Sequence, residues 1–306
     1  MPFAIFSRCH HCMKHFLAIV IAILLCFPFL GHSQPPSHFV PSSLSPIQKG
    51  EFLLSQSLNE EALRLFQSLI DEGKEGGYAF RGLVRAYRGM NKLDEALGWI
   101  KKFLADNPDS SPAFYASGYV YYLQDDIAQA GQLFDRALEL DANNSLALNN
   151  LGAILSRQKS YPQAADKVRE AIRINPKEPL FFRNLETIYK AMGNPGLIIA
   201  DYNLHLKQGA SDLVRGYGMA VGRNLRQAGF RLYDEGQLDE AIVKFMEIET
   251  VYKKIKHQFG LVPIYFSLGL LYEEKGDAQN AIKYFNQVLV LNPLHIQAKE
   301  RLERIQ

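Results

Sequence analysis

Cysteine is almost absent from this 306-residue chain, and the three cysteines that occur all lie near the N-terminus. They are Cys9, Cys12 and Cys26, so residues 27–306 contain no thiol. Most of the chain therefore depends on neither disulfides nor reduced thiols, which suits an oxidising compartment. The Cys-His-His-Cys run at residues 9–12 is like a metal-ligand sequence, but no second ligand pair follows at a zinc-like spacing. We expect no metal site.

An excess of charge of either sign is also missing, because the formal net charge is +2. The first 33 residues carry Arg8 and Lys14 but no acidic residue, so the rest of the chain has equal numbers of basic and acidic side chains. A general nucleic-acid binder is usually basic overall. The balance argues against nucleic acid as a partner.

Catalytic motifs are missing as well. The sequence has no G-x-S-x-G nucleophile turn, no G-x-x-x-x-G-K phosphate loop and no H-E-x-x-H metal motif. The histidines after residue 33 are scattered rather than clustered: His38, His205, His257 and His295. We therefore predict a protein that is not an enzyme and that has no catalytic residues and no cofactor.

The longest apolar run, residues 16–30, follows a cationic start and precedes the small-ended tripeptide Gly31-His32-Ser33. This layout is typical of a cleavable secretory signal. A helix over the run would span about 22 Å, which is less than the ~30 Å hydrocarbon core. We predict a signal peptide over residues 1–33 and export to the periplasm or beyond. The alternatives are an uncleaved inner-membrane anchor over residues 16–30 and lipidation at Cys26, and the membrane would be contacted only through this segment.

A 34-residue period runs through the chain after a Pro- and Ser-rich stretch at residues 34–42, which predicts a linker. The period is carried by alanines, each followed four positions later by a larger apolar residue: Ala62, Ala96, Ala130 and Ala164. Such a period is typical of stacked helical hairpins. Glycines in the first helices should admit a bulky neighbour: Gly50, Gly118, Gly152 and Gly269.

The period predicts five hairpins over residues 43–212, of which the fifth, from residue 179, is degenerate. Ile198 takes the place of its repeated alanine, and Glu186 takes the place of its glycine. The frame then slips, which predicts an insertion over residues 213–221. The insertion is either harmless or a joint between a five-unit and a two-unit block.

The remaining chain is predicted to form two hairpins over residues 222–295 and a capping helix over residues 296–306. The extra residues should lengthen both helices of the sixth hairpin. Its second helix should reach about Gln258, where Gly260 and Pro263 would end it.

These units resemble tetratricopeptide repeats. Leu151-Gly152-x-x-Leu155 followed by Ala164, Ala171 and Pro176 matches the family pattern, and so does Leu268-Gly269-x-x-Tyr272 followed by Ala281, Phe285 and Pro293. The resemblance implies an all-α, right-handed superhelical solenoid of about seven helix-turn-helix repeats with a C-terminal capping helix. It also implies that the first helix of each repeat lines a concave face, where a partner is held.

Helical spacing on those first helices selects the side chains that point inward. The predicted ligand groove consists of Arg81, Arg85, Arg88, Tyr115, Tyr119, Tyr122, Asn149, Asn150, Arg157, Arg183, Asn184, Lys190 and Arg226. Asn150 and Asn184 are 34 residues apart, at a position where related repeats often carry an asparagine that holds the ligand backbone.

The predicted groove contains basic residues and no acid between Tyr78 and Arg226, whereas acids at equivalent positions, such as Glu51, lie toward the ends. A wall with charge of one sign favours an oppositely charged ligand, and tyrosines add rigid contact area. We predict a cell-envelope scaffold that binds an acidic protein or peptide. An anionic polysaccharide, bound in the same groove during export or assembly, is the alternative.

Overall fold

The computed structural model describes residues 43–74, 76–209 and 211–305, and these residues form fifteen helices and no strand. The predicted signal peptide, the linker and all three cysteines lie outside the described residues. The prediction of an all-α fold with about seven hairpins and a final helix is confirmed. Among the described residues, no helix is both long enough and apolar enough to cross a membrane.

The described residues form two compact units, the first ending at Leu197 and the second beginning at Ile198. The helices of the first unit are α1 (Pro46–Ser55), α2 (Asn59–Asp71), α3 (Gly76–Gly89), α4 (Leu93–Asp106), α5 (Ser111–Leu123), α6 (Ile127–Leu140), α7 (Ser145–Arg157), α8 (Tyr161–Ile174) and α9 (Pro179–Ala191). Then follow α10 (Leu197–Lys207), α11 (Asp212–Asp234), α12 (Leu238–Lys254), α13 (Gln258–Lys275), α14 (Ala278–Leu291) and α15 (Ile296–Ile305). Odd-numbered helices up to α13 are the first helices of the hairpins.

The turns inside the first five hairpins share one backbone feature. A residue with positive φ recurs every 34 residues, at Ser57, Asn91, Asp125, Lys159 and Gly193. The left-handed conformation is unfavourable for most L-residues, but it reverses the chain within a few positions. The irregular fifth hairpin therefore keeps the turn register of the four before it.

Aromatic rings wedge between neighbouring hairpins at the glycine positions. The ring of Phe66 on α2 is fully buried, and a Cβ added at Gly50 or Gly82 would overlap it. In the second unit the ring of Phe285 on α14 lies against Gly269 on α13, the other helix of its hairpin. The predicted role of these glycines, to let a bulky neighbour approach closely, is confirmed.

The second unit differs from the sequence prediction in where one helix ends. The insertion at residues 213–221 forms part of α11, which has 23 residues. However, α12 ends at Lys254, and Gly260 and Pro263 lie inside α13 instead of ending α12. The chain reverses at Lys256, whose φ is 54°, so the next helix begins before the glycine and the proline are reached.

The final helix, α15, is capped by a buried histidine. The Ala298 backbone N–H donates to His295 Nδ1 at 3.2 Å, and the imidazole lies 4.8 Å from the ring of Phe266, centroid to centroid. Burial lowers the pKa of His295 below its ordinary value of 6.5, although a backbone hydrogen bond opposes this shift. The neutral imidazole is therefore the form that the fold favours, because a proton on Nδ1 would remove the acceptor.

We expect acidification to destabilise this end of the protein through His295. Because its folded pKa is depressed, its contribution is complete above about pH 6.5 and is lost as the pH falls below that value toward the folded pKa. Urea unfolding at about pH 7.5 and about pH 5.5 measures the effect. The free energy of unfolding should fall more between these two pH values for the wild type than for His295→Asn, because asparagine caps the helix without titrating. His257, whose pKa is also lowered, adds the same pH dependence to both proteins, so it cancels in the comparison. Equal drops would contradict the prediction.

Candidate functional site

The first helices of the first unit carry most of the predicted groove residues, and the structure brings distant parts of this face together. Arg81 Nη1 on α3 donates to Glu178 Oε2, just before α9, at 3.1 Å. The Asn175 amide donates to the Tyr78 hydroxyl. Both contacts join residues 97 positions apart. The inward face therefore curves enough for the second hairpin to touch the start of the fifth.

We call this cluster of Glu51, Tyr78, Arg81, Asn175 and Glu178 the clasp. The Arg81 guanidinium lies 4.8 Å from the centroid of the Tyr78 ring, and its Nη2 is 3.9 Å from Glu51 Oε1. The side chains of Arg81 and Glu178 are only 14% and 12% exposed. The clasp is therefore a largely buried charge cluster.

The charges of the clasp perturb two of its members. Burial, followed by the charge of Glu178, raises the pKa of Tyr78 to about 12. Burial, the largest single influence, lowers the pKa of Arg81, but Glu178, Tyr115, Glu51 and Tyr78 together outweigh it, and the net shift is upward. Both groups therefore keep their protons at any ordinary pH, so the clasp is one positive charge between two carboxylates.

One acid, Glu178, thus corrects the sequence prediction of an acid-free stretch between Tyr78 and Arg226, because it pairs with Arg81. Glu51, which the sequence places toward the end of the face, pairs with Arg85 as well as with Arg81. Glu178 was missed because it precedes α9 as its N-cap, whereas helical spacing selects only residues inside helices. Its position before Pro179 is a sequence signal for a cap, but no local pattern connects it with Arg81.

Two other predicted groove residues are buried and present no surface to a ligand. Tyr115 is 1% exposed, with its ring 6.1 Å from Tyr119 and 6.0 Å from Phe134 between centroids. Asn149 is 2% exposed. The reason is that α5 packs on both neighbouring hairpins, so the Tyr115 ring fills the interior. Tyr119 and Tyr122 are half-buried and keep part of their rings accessible.

Amide side chains from α7 and α9 form a short row. Asn184 Nδ2 donates to Asn149 Oδ1 at 2.8 Å, and Asn149 Nδ2 donates to Asn150 Oδ1 at 3.1 Å. The Asn150 Nδ2 atom at the end of the row is buried and has no hydrogen-bond partner. The row therefore ends in a donor whose hydrogen-bonding capacity is unused.

Four other cations of the predicted groove are exposed. Arg157 pairs with Asp125 at 2.6 Å and lies 5.9 Å from the centroid of the Tyr122 ring. Arg183 and Lys190 are exposed on the same side of α9, about two turns apart, and Arg88 is exposed at the end of α3. We call Tyr122, Asn150, Arg157, Arg183 and Asn184 the open groove.

The last predicted groove residue, Arg226, lies in the second unit. It is half-buried on α11, near His257. Burial and the charges of Arg215 and Arg226 lower the pKa of His257. Among the described residues no three His, Asp or Glu side chains are grouped as metal ligands.

Family models described as tetratricopeptide repeat match both units. One matches residues 48–112, 81–145 and 115–179, and another matches residues 262–293. The matched residues together make up more than half of the chain.

Several curated proteins are similar to this chain. An uncharacterized protein, ycf37 of Porphyra purpurea, is 27% identical over 169 residues, which cover 52% of this chain and 89% of that protein. The CTR9 homolog of Arabidopsis thaliana is 22% identical, and the match covers 81% of this chain and 22% of that protein. The type IV pilus assembly protein PilF of Pseudomonas aeruginosa is 28% identical, with 41% of this chain and 51% of that protein covered. The match thus spans about half the length of PilF and less than a quarter of the length of the CTR9 homolog.

Solved structures are similar to this chain at low sequence identity. The C-terminal part of a TPR repeat-containing protein from Cytophaga hutchinsonii has a TM-score of 0.43 and 17% identity, with 83% of this chain and 98% of that chain covered. YrrB, described as a TPR protein with an unusual peptide-binding site, has a TM-score of 0.35 and 20% identity, with 67% of this chain and 97% of that chain covered.

The hairpins, the glycine and aromatic packing between them and the matched family models lead to one assignment. This chain belongs to the tetratricopeptide repeat family, whose members generally mediate protein–protein interactions.

Proposed function

We propose that this chain is a non-catalytic scaffold of the cell envelope that binds an acidic protein or peptide in its open groove. Export is supported by the signal-like residues 1–33, and binding is supported by the family assignment. The ligand class is supported by the exposed cations of the open groove, Arg157 and Arg183. The clasp adds little positive electrostatic potential to the free protein, because the charge of Arg81 is already paired with Glu178 and Glu51.

The observation that carries the proposal is the pairing state of Arg183. Its side chain is exposed on α9 and forms no ion pair within the described part of the chain. It adjoins Asn184, which belongs to the amide row that ends in the unused Asn150 donor. A planar, exposed guanidinium without an ion-pair partner suits a carboxylate side chain of a ligand. Arg157, the other exposed arginine of the open groove, needs only to exchange an exposed partner, Asp125, to bind a second acid.

Charge reversal in the open groove tests this proposal. A labelled ten-residue glutamate peptide should bind the wild type, and Arg157→Glu with Arg183→Glu should lower its affinity by more than about tenfold, because charge pairing becomes repulsion. The loss should shrink at high salt. Fluorescence anisotropy measures both effects.

The matched control reverses two exposed arginines on second helices, Arg64→Glu and Arg173→Glu. It changes the net charge equally but leaves the open groove intact, so the peptide should retain its affinity within about twofold. Equal losses in both double variants would reduce the interaction to net charge and overturn the proposed site.

An anionic polysaccharide is the second candidate, because Tyr119 and Tyr122 keep part of their rings accessible. Sugar rings bind to the flat faces of aromatic side chains, whereas a peptide carboxylate depends on the arginines. If a polyuronate binds and Tyr122→Ala abolishes this binding while the glutamate peptide binds no form, the polysaccharide becomes the preferred ligand. Tyr115 is unsuitable for this comparison because its ring is buried.

A further inference from the structure

We propose that the clasp is a second carboxylate-binding subsite, occupied in the free protein by the chain's own Glu178. An acidic side chain of the partner would replace Glu178 on Arg81 and separate the second hairpin from the start of the fifth. The inference rests on the proposed function, since it extends the ligand site from the open groove to the clasp.

The hydrogen bonding of Arg81 is incomplete in the closed clasp. Its Nη1 donates to Glu178, while its Nη2 lies 3.9 Å from Glu51 Oε1, which is too far for a hydrogen bond. Both Arg81 Nε and Glu51 Oε1 are buried without a hydrogen-bond partner. A guanidinium binds a carboxylate best through two parallel N–H donors. Arg81 therefore makes a weaker contact with Glu178 than a freely placed carboxylate could make.

The two carboxylate oxygens of Glu178 accept hydrogen bonds from different donors. Oε2 accepts from Arg81, whereas Oε1 accepts from the Leu180 backbone N–H at 3.2 Å and so caps α9. Release of Arg81 leaves this cap in place. The clasp can therefore open without unwinding the helix that carries the open-groove residues Arg183 and Asn184.

The second clasp contact stabilises the closed state without carrying charge. The Tyr78 hydroxyl accepts from the Asn175 amide, and Asn175 lies three residues before Glu178. A partner must break this contact as well as displace Glu178. When a binding-competent state is only partly populated, the apparent affinity falls by that fraction. Weakening the clasp should therefore strengthen binding of an acidic ligand.

Two variants weaken the clasp by different means. Glu178→Gln keeps an oxygen to cap α9 but removes the charge that holds Arg81, and Tyr78→Phe removes only the hydroxyl. The labelled ten-residue glutamate peptide should bind Glu178→Gln about tenfold more tightly than the wild type, and Tyr78→Phe more tightly by a smaller factor. A glutamine peptide of the same length should bind none of these proteins.

The matched control is Glu139→Gln. Glu139 is an exposed residue of α6 that pairs with Arg136, so its neutralisation changes the net charge as Glu178→Gln does but leaves the clasp intact. Its peptide affinity should stay within about twofold of the wild type. A gain equal to that of Glu178→Gln would overturn the subsite, because net charge alone would then explain the effect.

Amide hydrogen exchange follows the clasp directly. The Lys177 N–H of the wild type should exchange faster with the glutamate peptide bound than without it, because its acceptor, the Asn175 side chain, loses the contact with Tyr78. The Leu180 N–H should stay protected, because Glu178 keeps capping α9. Suppose that the peptide binds, and that its affinity depends on Arg157 and Arg183. If binding then leaves this exchange unchanged and Glu178→Gln binds the peptide no more tightly than the wild type, the clasp inference fails and the proposed function stands. If no form binds the peptide, both fail.

Discussion

Replacing Phe66 with alanine should lower the free energy of unfolding by about 3–5 kcal/mol. The ring is fully buried between the backbones at Gly50 and Gly82, which lie on two different hairpins. Both positions are glycines, so neither has a side chain that could fill the space that the ring leaves. The cavity would lie where each hairpin stabilises the next. Urea unfolding followed by circular dichroism measures the loss.

The control for this prediction is Phe259→Ala. Phe259 is 91% exposed, so the same substitution there should change the unfolding free energy by less than about 0.5 kcal/mol. If Phe66→Ala lowers the free energy of unfolding by less than about 1 kcal/mol, the neighbouring hairpins close the cavity. The ring between Gly50 and Gly82 would then not be needed to hold the hairpins together.

Replacing Arg81 with alanine should destabilise the first unit by about 3–5 kcal/mol, because it leaves the largely buried Glu178 carboxylate without its counter-charge. Glu178 loses its ion-pair partner, whereas Glu51 still has Arg85. The comparison is Arg157→Ala, whose partner Asp125 is 74% exposed and can return to water. That substitution should cost no more than about 1 kcal/mol. Urea unfolding at neutral pH measures both.

The doubly substituted protein, Arg81→Ala with Glu178→Ala, shows whether the loss comes from the unpaired charge. Removing both partners leaves no buried carboxylate at position 178, so the double variant should be more stable than the sum of the single losses implies, by about 0.5–3 kcal/mol. Strictly additive losses would mean that Arg81 contributes by packing, not by pairing with Glu178.

Much of the fold could be predicted because repeat packing is local. The 34-residue spacing of Ala62, Ala96, Ala130 and Ala164 reflects contacts between neighbouring helices, so the period, the hairpins and the glycine positions are readable along the chain. Prediction failed at Lys256, where a turn of unusual backbone conformation moved Gly260 and Pro263 into the following helix. Positive φ at a lysine leaves no signal in the side-chain pattern.

The candidate site was only half predictable. Arg183 and Arg157 were identified because helical spacing reports which side of a helix a residue occupies. The same spacing placed Tyr115 on the groove, but whether an inward ring is exposed or buried depends on how closely the neighbouring hairpins approach. Helical spacing therefore predicts which way a side chain points, whereas tertiary packing decides whether it is exposed.

The sequence by itself determined the helical hairpins, their register and the type of side chain on each first helix, because these depend on residues at most about 34 positions apart. Only the tertiary structure decided that Arg81 meets Glu178 and that Tyr78 meets Asn175, because those pairs are 97 residues apart. Their meeting depends on the curvature accumulated over the two intervening hairpins, the third and the fourth. Small rotations between neighbouring hairpins set that curvature, and no single side chain encodes it.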